Sequence, residues 1–294
     1  MLTRIISGAV GAALMVVVFI FHDTVMLPIA VSAMIAVMLY ELLRAVKLDS
    51  HRFAPIVWAV ELCGIAMPLL YQIFYDSEKV YSSDGDVNTK LVYRGEVSVI
   101  AFGITLAAAF VVFVTWLRKH KKLLYEQVFF ALACMVLVPQ AMSTMVRIDR
   151  MDNENGLFLL IMGLCGAWIA DTGAYFTGVA FGKHKLCPQI SPKKTVEGFV
   201  GGIVSTGIVF AIAFAVNYND VTLGIAAFVI GAVCAVIGTV GDLSASMVKR
   251  QIGFKDYGKI MPGHGGLMDR FDSVLFVLPT FYAMMSLMEI LDIK

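Results

Sequence analysis

Nine apolar runs, each about as long as a helix that crosses a bilayer, constrain this chain more than any other feature. They are predicted at Ile5–Phe21, Val25–Leu43, Ala54–Phe74, Val97–Leu117, Gln127–Val146, Leu157–Ala180, Phe199–Val216, Val221–Val240 and Ser273–Leu291. A bilayer's hydrocarbon core takes roughly 17–25 helical residues, and these runs fall in that window. Only 15% of the 294 residues are charged and the mean hydropathy is +0.82, where globular chains are about 25% charged. No stretch is long enough or mixed enough for a soluble domain. The expectation is an all-α polytopic membrane protein with about nine transmembrane helices. The gap His22–Thr24 is so short that the first two runs form a tight helical hairpin. Arg4 followed by an apolar stretch looks like a signal sequence, but no A-x-A site follows Phe21, so the run is read as an uncleaved span. Cys63, Cys134, Cys165 and Cys234 lie in apolar runs and Cys187 in a polar loop. Without CxxC or zinc spacing they are read as small buried hydrophobes.

The net charge of +1 says nothing about partners, but its distribution sets the topology. Arg4; Arg44, Lys47 and Arg52; Arg118, Lys119, Lys121 and Lys122; Lys183, Lys185, Lys193 and Lys194; and Lys249, Arg250, Lys255, Lys259 and Arg270 fall on one side. Six of the 23 Lys and Arg fall on the other. By the positive-inside rule the first side is cytoplasmic, the N-terminus inside and the C-terminus outside. The loop Tyr75–Glu96, on the outer side, is polar and net acidic.

Three polar segments share the inner face. In Trp168–Lys185, Asp171 sits inside an apolar run. A carboxylate there defaults to function, although a polar anchor to a neighbouring helix also accounts for it. Gly178–Lys183 is one residue short of a P-loop and His184 replaces its Ser/Thr, so that motif is rejected. In Ile190–Gly202, Thr195 caps the next helix, or Lys194, Thr195 and the free N–H groups at that helix start cradle a phosphate. Glu197 is one residue too close to Thr195 for a capping box. The third segment runs from Gly241-Asp242 to Asp272. If the eighth run continues as helix, Asp242, Ser246, Lys249 and Arg250 share one face. Asp269 and Asp272, at i and i+3, can both face one cation, and three oxygen donors with open positions fit magnesium. Lys255, Asp256, His264, Arg270 and the glycines Gly263, Gly265 and Gly266 complete the segment. Cations and carboxylates with glycine-rich backbone between them suit a phosphate ester held with a divalent metal. A salt-bridged segment binding anionic lipid needs only clustered Lys and Arg.

DLSASMVKRQIGFKDYGKIMPGHGGLMDRFDS resembles the signature of the phosphatidate cytidylyltransferases, or CDP-diacylglycerol synthases. Ser246, Lys249 and Arg250 fill its S-x-x-K-R; Lys255, Asp256 and Gly258 its K-D-x-G; Pro262 to Asp272 its P-G-H-G-G-x-x-D-R-x-D. ADTGAYFTGVAFGKHKL and SPKKTVEG are similar to the family's upstream segments. Val196 stands where the family often has Trp, and Tyr257 where it often has Ser. The resemblance implies that CTP and phosphatidic acid give CDP-diacylglycerol and pyrophosphate with Mg²⁺, with room for a second cation, at a cytoplasmic-face active site. The resemblance covers roughly Trp168–Ser273; with the apolar runs it divides the chain into N-terminal transmembrane helices at 1–150 and a catalytic region at 151–294 with its signature at 242–273. Asp242, Asp269 and Asp272 are then the metal ligands. Lys249, Arg250, Lys255, Asp256, His264 and Arg270 are the catalytic set, although a purely structural loop role suits His264 nearly as well. Asp171, Lys194, Thr195, Glu197, Ser246, Gly265 and Gly266 bind substrate. The partners are CTP, phosphatidic acid and membrane lipids, with no nucleic acid; a homodimer is left open. The setting is a bacterial inner membrane.

Three other readings compete. A CTP-using polyprenol or phytol kinase shares the membrane and the nucleotide, but the full P-G-H-G-G run disfavours it. A transporter would use Asp171 and Glu61 as ion sites, yet needs no long phosphate-binding segment. A lipid-phosphate binding module without turnover does not need three carboxylates beside an anion.

Overall fold

The computed structural model describes residues 2–81, 87–93, 95–152, 154–261, 263 and 265–290. The backbone is helical because a segment in hydrocarbon must satisfy its own N–H and C=O groups. Nine long helices occur among the described residues: α1 (Leu2–Ile20), α2 (Met26–Ala45), α3 (Ala54–Ile73), α4 (Gly95–Lys119), α5 (Tyr125–Asp149), α6 (Gly156–Phe181), α7 (Val196–Tyr218), α8 (Val221–Ile252) and, after the single turn α9 (Met268–Phe271), α10 (Val274–Ile290). Eight spans among them are long and apolar enough to cross a membrane, and α1 adds a shorter apolar helix at Ile6–Ile20. The chain is an all-α polytopic membrane protein. Two small antiparallel hairpins, β1 (Tyr75–Tyr81) with β2 (Val87–Tyr93) and β3 (Lys185–Cys187) with β4 (Ser191–Thr195), occupy what the sequence reads as plain loops.

The chain divides into two compact units: residues 1–157 with 257–268, and residues 158–256 with 269–294. In the first, α2, α3 and α5 pack on one another. Each presents an apolar stripe at helical spacing: Val31, Ile35, Met38 and Leu42 on α2, Ile56, Val60, Cys63 and Met67 on α3, and Val128, Met135, Val138, Met142 and Met145 on α5, all buried. Gly64 lets α3 close on Ile35 and Leu39. The opposite face of α3 and a face of α4 are as apolar: Trp58, Leu62, Phe102 and Phe110 are all more than 60% exposed. Lipid covers such a surface in a membrane protein. The turn between α1 and α2 is pinned to the end of α5, where His22 Nδ1 lies 2.7 Å from the buried Asp149 carboxylate.

The second unit is built on small residues. A side chain at Gly198 or Gly202 on α7 would collide with the carbonyls of Ala174 and Ala170 on α6, so these two helices touch backbone to backbone. Gly224 and Gly231 do the same for α8 against α7, and seven residues further on Gly238 makes room for the Val277 side chain of α10. Phe210, Phe214 and Phe281 fill the space beside them, with Phe210 edge-on to Phe281 at 5.9 Å and stacked with Phe214 at 6.3 Å.

Two boundaries differ from the sequence reading in ways that bear on function. The eighth run is predicted to end at Val240, but α8 continues to Ile252 and stops at Gly253, whose left-handed backbone (φ 80°) turns its N–H back to Lys249 and Arg250. At 32 residues α8 is about 48 Å long, longer than a ~30 Å hydrocarbon core. Its last three turns are the polar ones. The final span is preceded by α9, which carries Asp269 and Arg270.

Candidate active site

The second unit gathers acidic and basic side chains from four elements. Asp171 lies midway along α6, Lys194 on β4, Asp242 and Lys249 on the polar extension of α8, and Asp269 and Asp272 on and just after α9. Continued helix through Gly241 puts Asp242, Ser246, Lys249 and Arg250 on one face, as their spacing predicts. Gly241 itself is needed for closeness. A Cβ there would strike the Phe276 ring and press on the Asp272 carbonyl, so its absence lets α8 meet the start of α10 beside Asp242.

Two ion pairs organise these groups. Lys194 Nζ lies 2.6 Å from Asp242 Oδ2, with both side chains 24% exposed. Lys249 Nζ donates to Asp269 Oδ1 at 2.9 Å and lies 3.8 Å from Asp272 Oδ2. That second cluster is dry, with Lys249 12%, Asp269 3% and Asp272 9% exposed. Asp272 also accepts the Ser273 N–H at 2.8 Å. Asp171 is close enough to feel the charges of Lys194 and Asp242, and Asp272 those of Asp242 and Asp171. The set therefore holds four carboxylates and two ammonium groups. Fully ionised it carries an excess of two negative charges, the charge of one divalent cation, and its donors are the hard oxygens such a cation takes. Among the described residues, the one trio of His, Cys, Asp or Glu whose donor atoms already converge within 4.8 Å is His22, Asp23 and Asp149, in the first unit. In the second unit the lysine ammonium groups stand between the carboxylates.

Beside the pairs is a cavity of about 350 Å³. Asp171, Lys193, Lys194 and Thr195 supply its polar wall, and Tyr175, Val179, Leu186 and Phe199 its apolar one. A cavity with cations on one side and hydrocarbon on the other suits an anionic amphiphile. The β3–β4 hairpin holds the two lysines there. Thr195 Oγ1 accepts the Gly198 N–H at 3.1 Å and caps α7. Glu197 accepts the N–H groups of Lys183 at 3.0 Å and His184 at 3.2 Å, and lies 2.6 Å from His184 Nδ1. These bonds lock the strand to the helix start.

The remaining predicted residues are spread more widely. Arg250, Lys255, Asp256 and Arg270 are exposed, and Ser246 is half-buried on α8. Gly265 and Gly266 belong to the first unit, in the loop that starts at Tyr257. There Met261 and Gly265 form a one-residue bridge, and Gly263 and Gly265 take positive φ of 80° and 91°. His264 and Pro262 lie outside the described residues. Sequence reasoning missed Glu41 of α2, whose carboxylate is buried against this loop. The signal was present, since a carboxylate inside an apolar run is costly wherever it occurs.

Residues 2–288 match the Cytidylyltransferase family. The chain belongs to that family. A phosphatidate cytidylyltransferase of Bacillus subtilis (strain 168) is 33% identical to it over 287 residues, 97% of each chain. Proteins of the same name from Haemophilus influenzae and Staphylococcus saprophyticus are 46% and 47% identical over 134 and 127 residues, 44% and 43% of this cytidylyltransferase-family chain and 46% and 48% of theirs. The charged cluster is thus set in the framework of a membrane nucleotidyltransferase, and the relatives bear the name that the signature segment points to.

Proposed function

We propose that the chain is a phosphatidate cytidylyltransferase that converts CTP and phosphatidic acid to CDP-diacylglycerol and pyrophosphate. The observation that carries this reading is the cluster itself: four carboxylates, two lysines and a charge deficit that one divalent cation fills, beside a half-apolar cavity. A phosphate oxygen of the lipid attacks the α-phosphorus of CTP. The new P–O bond forms as the bond from the α-phosphorus to the bridging oxygen breaks, and pyrophosphate leaves with that electron pair. The nucleophile is the substrate's own, so no Ser or Cys is needed. What the protein supplies is alignment of two polyanions and neutralisation of their repulsion.

Asp242, Asp269 and Asp272 would hold Mg²⁺, with Asp171 beside them able to serve a second cation. The metal supplies charge neutralisation at the phosphates. Lys194 and Lys249, which pair with these carboxylates in the structure, would be available to phosphate once a cation held the carboxylates. Lys194, with Lys193, faces the cavity and meets the lipid phosphate. Thr195 and Glu197 keep that strand in place. Lys249, Arg250, Lys255 and Arg270, with Asp256, Ser246, His264, Gly265 and Gly266 in supporting roles, serve the triphosphate and the departing pyrophosphate. The catalytic region is 151–294, with its signature facing the cytoplasm, N-terminus inside and C-terminus outside, in a bacterial inner membrane. A homodimer is left open.

The test is purified protein in detergent with phosphatidic acid, Mg²⁺ and CTP labelled at the α-phosphorus. Label in the lipid product with unlabelled pyrophosphate is expected. Label in free CDP would mean attack at the γ-phosphorus, as in a kinase, and no turnover at all would leave a binding module.

A further inference from the structure

Glu41 lies on α2, in the second apolar run, and is 2% exposed. Its Oε1 accepts the backbone N–H of Leu267 at 3.1 Å and its Oε2 that of Met268 at 2.9 Å, across sequence separations of 226 and 227 residues. Two signature glycines close on the same carboxylate. A Cβ on Gly266 would lie 2.5 Å from Oε2 and 2.6 Å from Oε1, and a Cβ on Gly258 would overlap Oε1 outright. Neither glycine is among those with positive φ, which in this loop are Gly263 and Gly265. Gly258 and Gly266 are therefore glycine for want of space, and the space is taken by Glu41.

We propose that Glu41 is a positioning residue for cytidylyl transfer: it fixes the backbone of the Gly258–Met268 loop and thereby sets the residue that follows, Asp269. The inference rests on the reading of the signature segment given above. A side chain from another helix is a costly way merely to satisfy two N–H groups. A Ser, Asn or Asp within the loop would cap them locally, whereas a buried carboxylate in an apolar span must be desolvated. What Glu41 adds is a fixed distance between α2 and the two residues before Asp269. Asp269, whose Oδ1 lies 2.9 Å from Lys249 Nζ, follows directly on that bonded pair in the chain.

The experiment compares Glu41→Gln, Gly266→Ala, Glu41→Ala and Glu41→Ala with Gly266→Ala, each assayed as turnover per folded molecule alongside thermal unfolding in detergent. In Glu41→Gln one backbone N–H faces an amide N–H, so kcat and kcat/KM should fall together by roughly 10- to 100-fold. A merely structural role would lower the unfolding midpoint and leave turnover per folded molecule unchanged. Gly266→Ala should be severe in the natural background and add little once Glu41 is Ala, because the collision is gone. If Glu41→Ala does not fold, Glu41→Asp with Gly266→Ala takes its place, since the shorter side chain also makes room. Unchanged turnover in Glu41→Gln, or a Gly266→Ala effect equal in both backgrounds, overturns the proposal. Because the unsubstituted protein is assayed in parallel, its failure to label lipid would indict the reaction instead.

Discussion

Asp269→Asn separates a metal ligand from a counter-ion. The substitution keeps shape and removes one charge at a side chain that is 3% exposed and bonded to Lys249 at 2.9 Å. Removing one partner of a buried ion pair commonly costs about 3–5 kcal/mol, because the other charge is stranded. Lys249 is not stranded here. Asp272 remains 3.8 Å away, and the Asn carbonyl can still accept. The loss should approach that of one charge-assisted hydrogen bond, about 1.5–3 kcal/mol at most. The protein then stays folded in detergent with a lowered unfolding midpoint. Turnover should suffer far more, since a buried group aimed at transition-state charge is commonly worth about 100- to 1,000-fold in kcat. The assay is α-labelled CTP incorporation into lipid across a Mg²⁺ titration, normalised to folded protein. A fall of that size with a Mg²⁺ midpoint moved upward supports the metal role. Near-normal turnover with an unmoved midpoint, and only the stability loss, would falsify it and leave Asp269 as the partner of Lys249.

Other perturbations probe the remaining parts. Lys194→Met releases Asp242 and removes a cation from the cavity wall, so KM for phosphatidic acid should rise; a change confined to CTP would reassign the cavity. Gly202→Leu drives a side chain into the Ala170 carbonyl and should destabilise by more than the ~1–3 kcal/mol typical of overpacking, because backbone cannot move aside as a side chain does; a wild-type unfolding midpoint would contradict the backbone contact of α6 with α7. In a cysteine-free background, Lys255→Cys, exposed just past the end of α8, should react with an impermeant maleimide only from the cytoplasmic side; labelling from the opposite face would sink both the orientation and the access route for CTP.

The helices were legible because apolar runs of membrane length allow little else, yet the residues that matter most sit where that signal stops. Val240 ends the eighth apolar run, but helix needs only backbone bonds and permissive side chains, so α8 continues through Asp242 and Lys249 until Gly253 supplies a left-handed cap. The shared face of Asp242, Ser246, Lys249 and Arg250 could be worked out on the condition that helix persisted, and it does. The β3–β4 hairpin gave no warning: five residues, SPKKT, with a proline, show no alternation. Thr195 was legible as a cap because its chemistry is local. The role of Glu41 was not, although a carboxylate in an apolar run is itself a signal. Its partners are 226 and 227 residues away, and nothing in the run Val25–Leu43 marks which distant N–H groups it serves.

The paired aspartates show how far spacing alone can lead. The i, i+3 interval of Asp269 and Asp272 predicts two carboxylates that face one cation, and in the structure both do face one, Lys249. Three buried or half-buried carboxylates, with the exposed Asp171 beside them, have lysines among them, because like charges in a weakly screened interior repel strongly. Two lysines neutralise half of that charge and hold the elements in register. With all four carboxylates ionised the two lysines leave a charge of two, which is the charge that the proposed divalent cation would neutralise. If the lysines exchange carboxylate for phosphate when substrate binds, as proposed above, removing either lysine should damage folding and turnover by separable amounts.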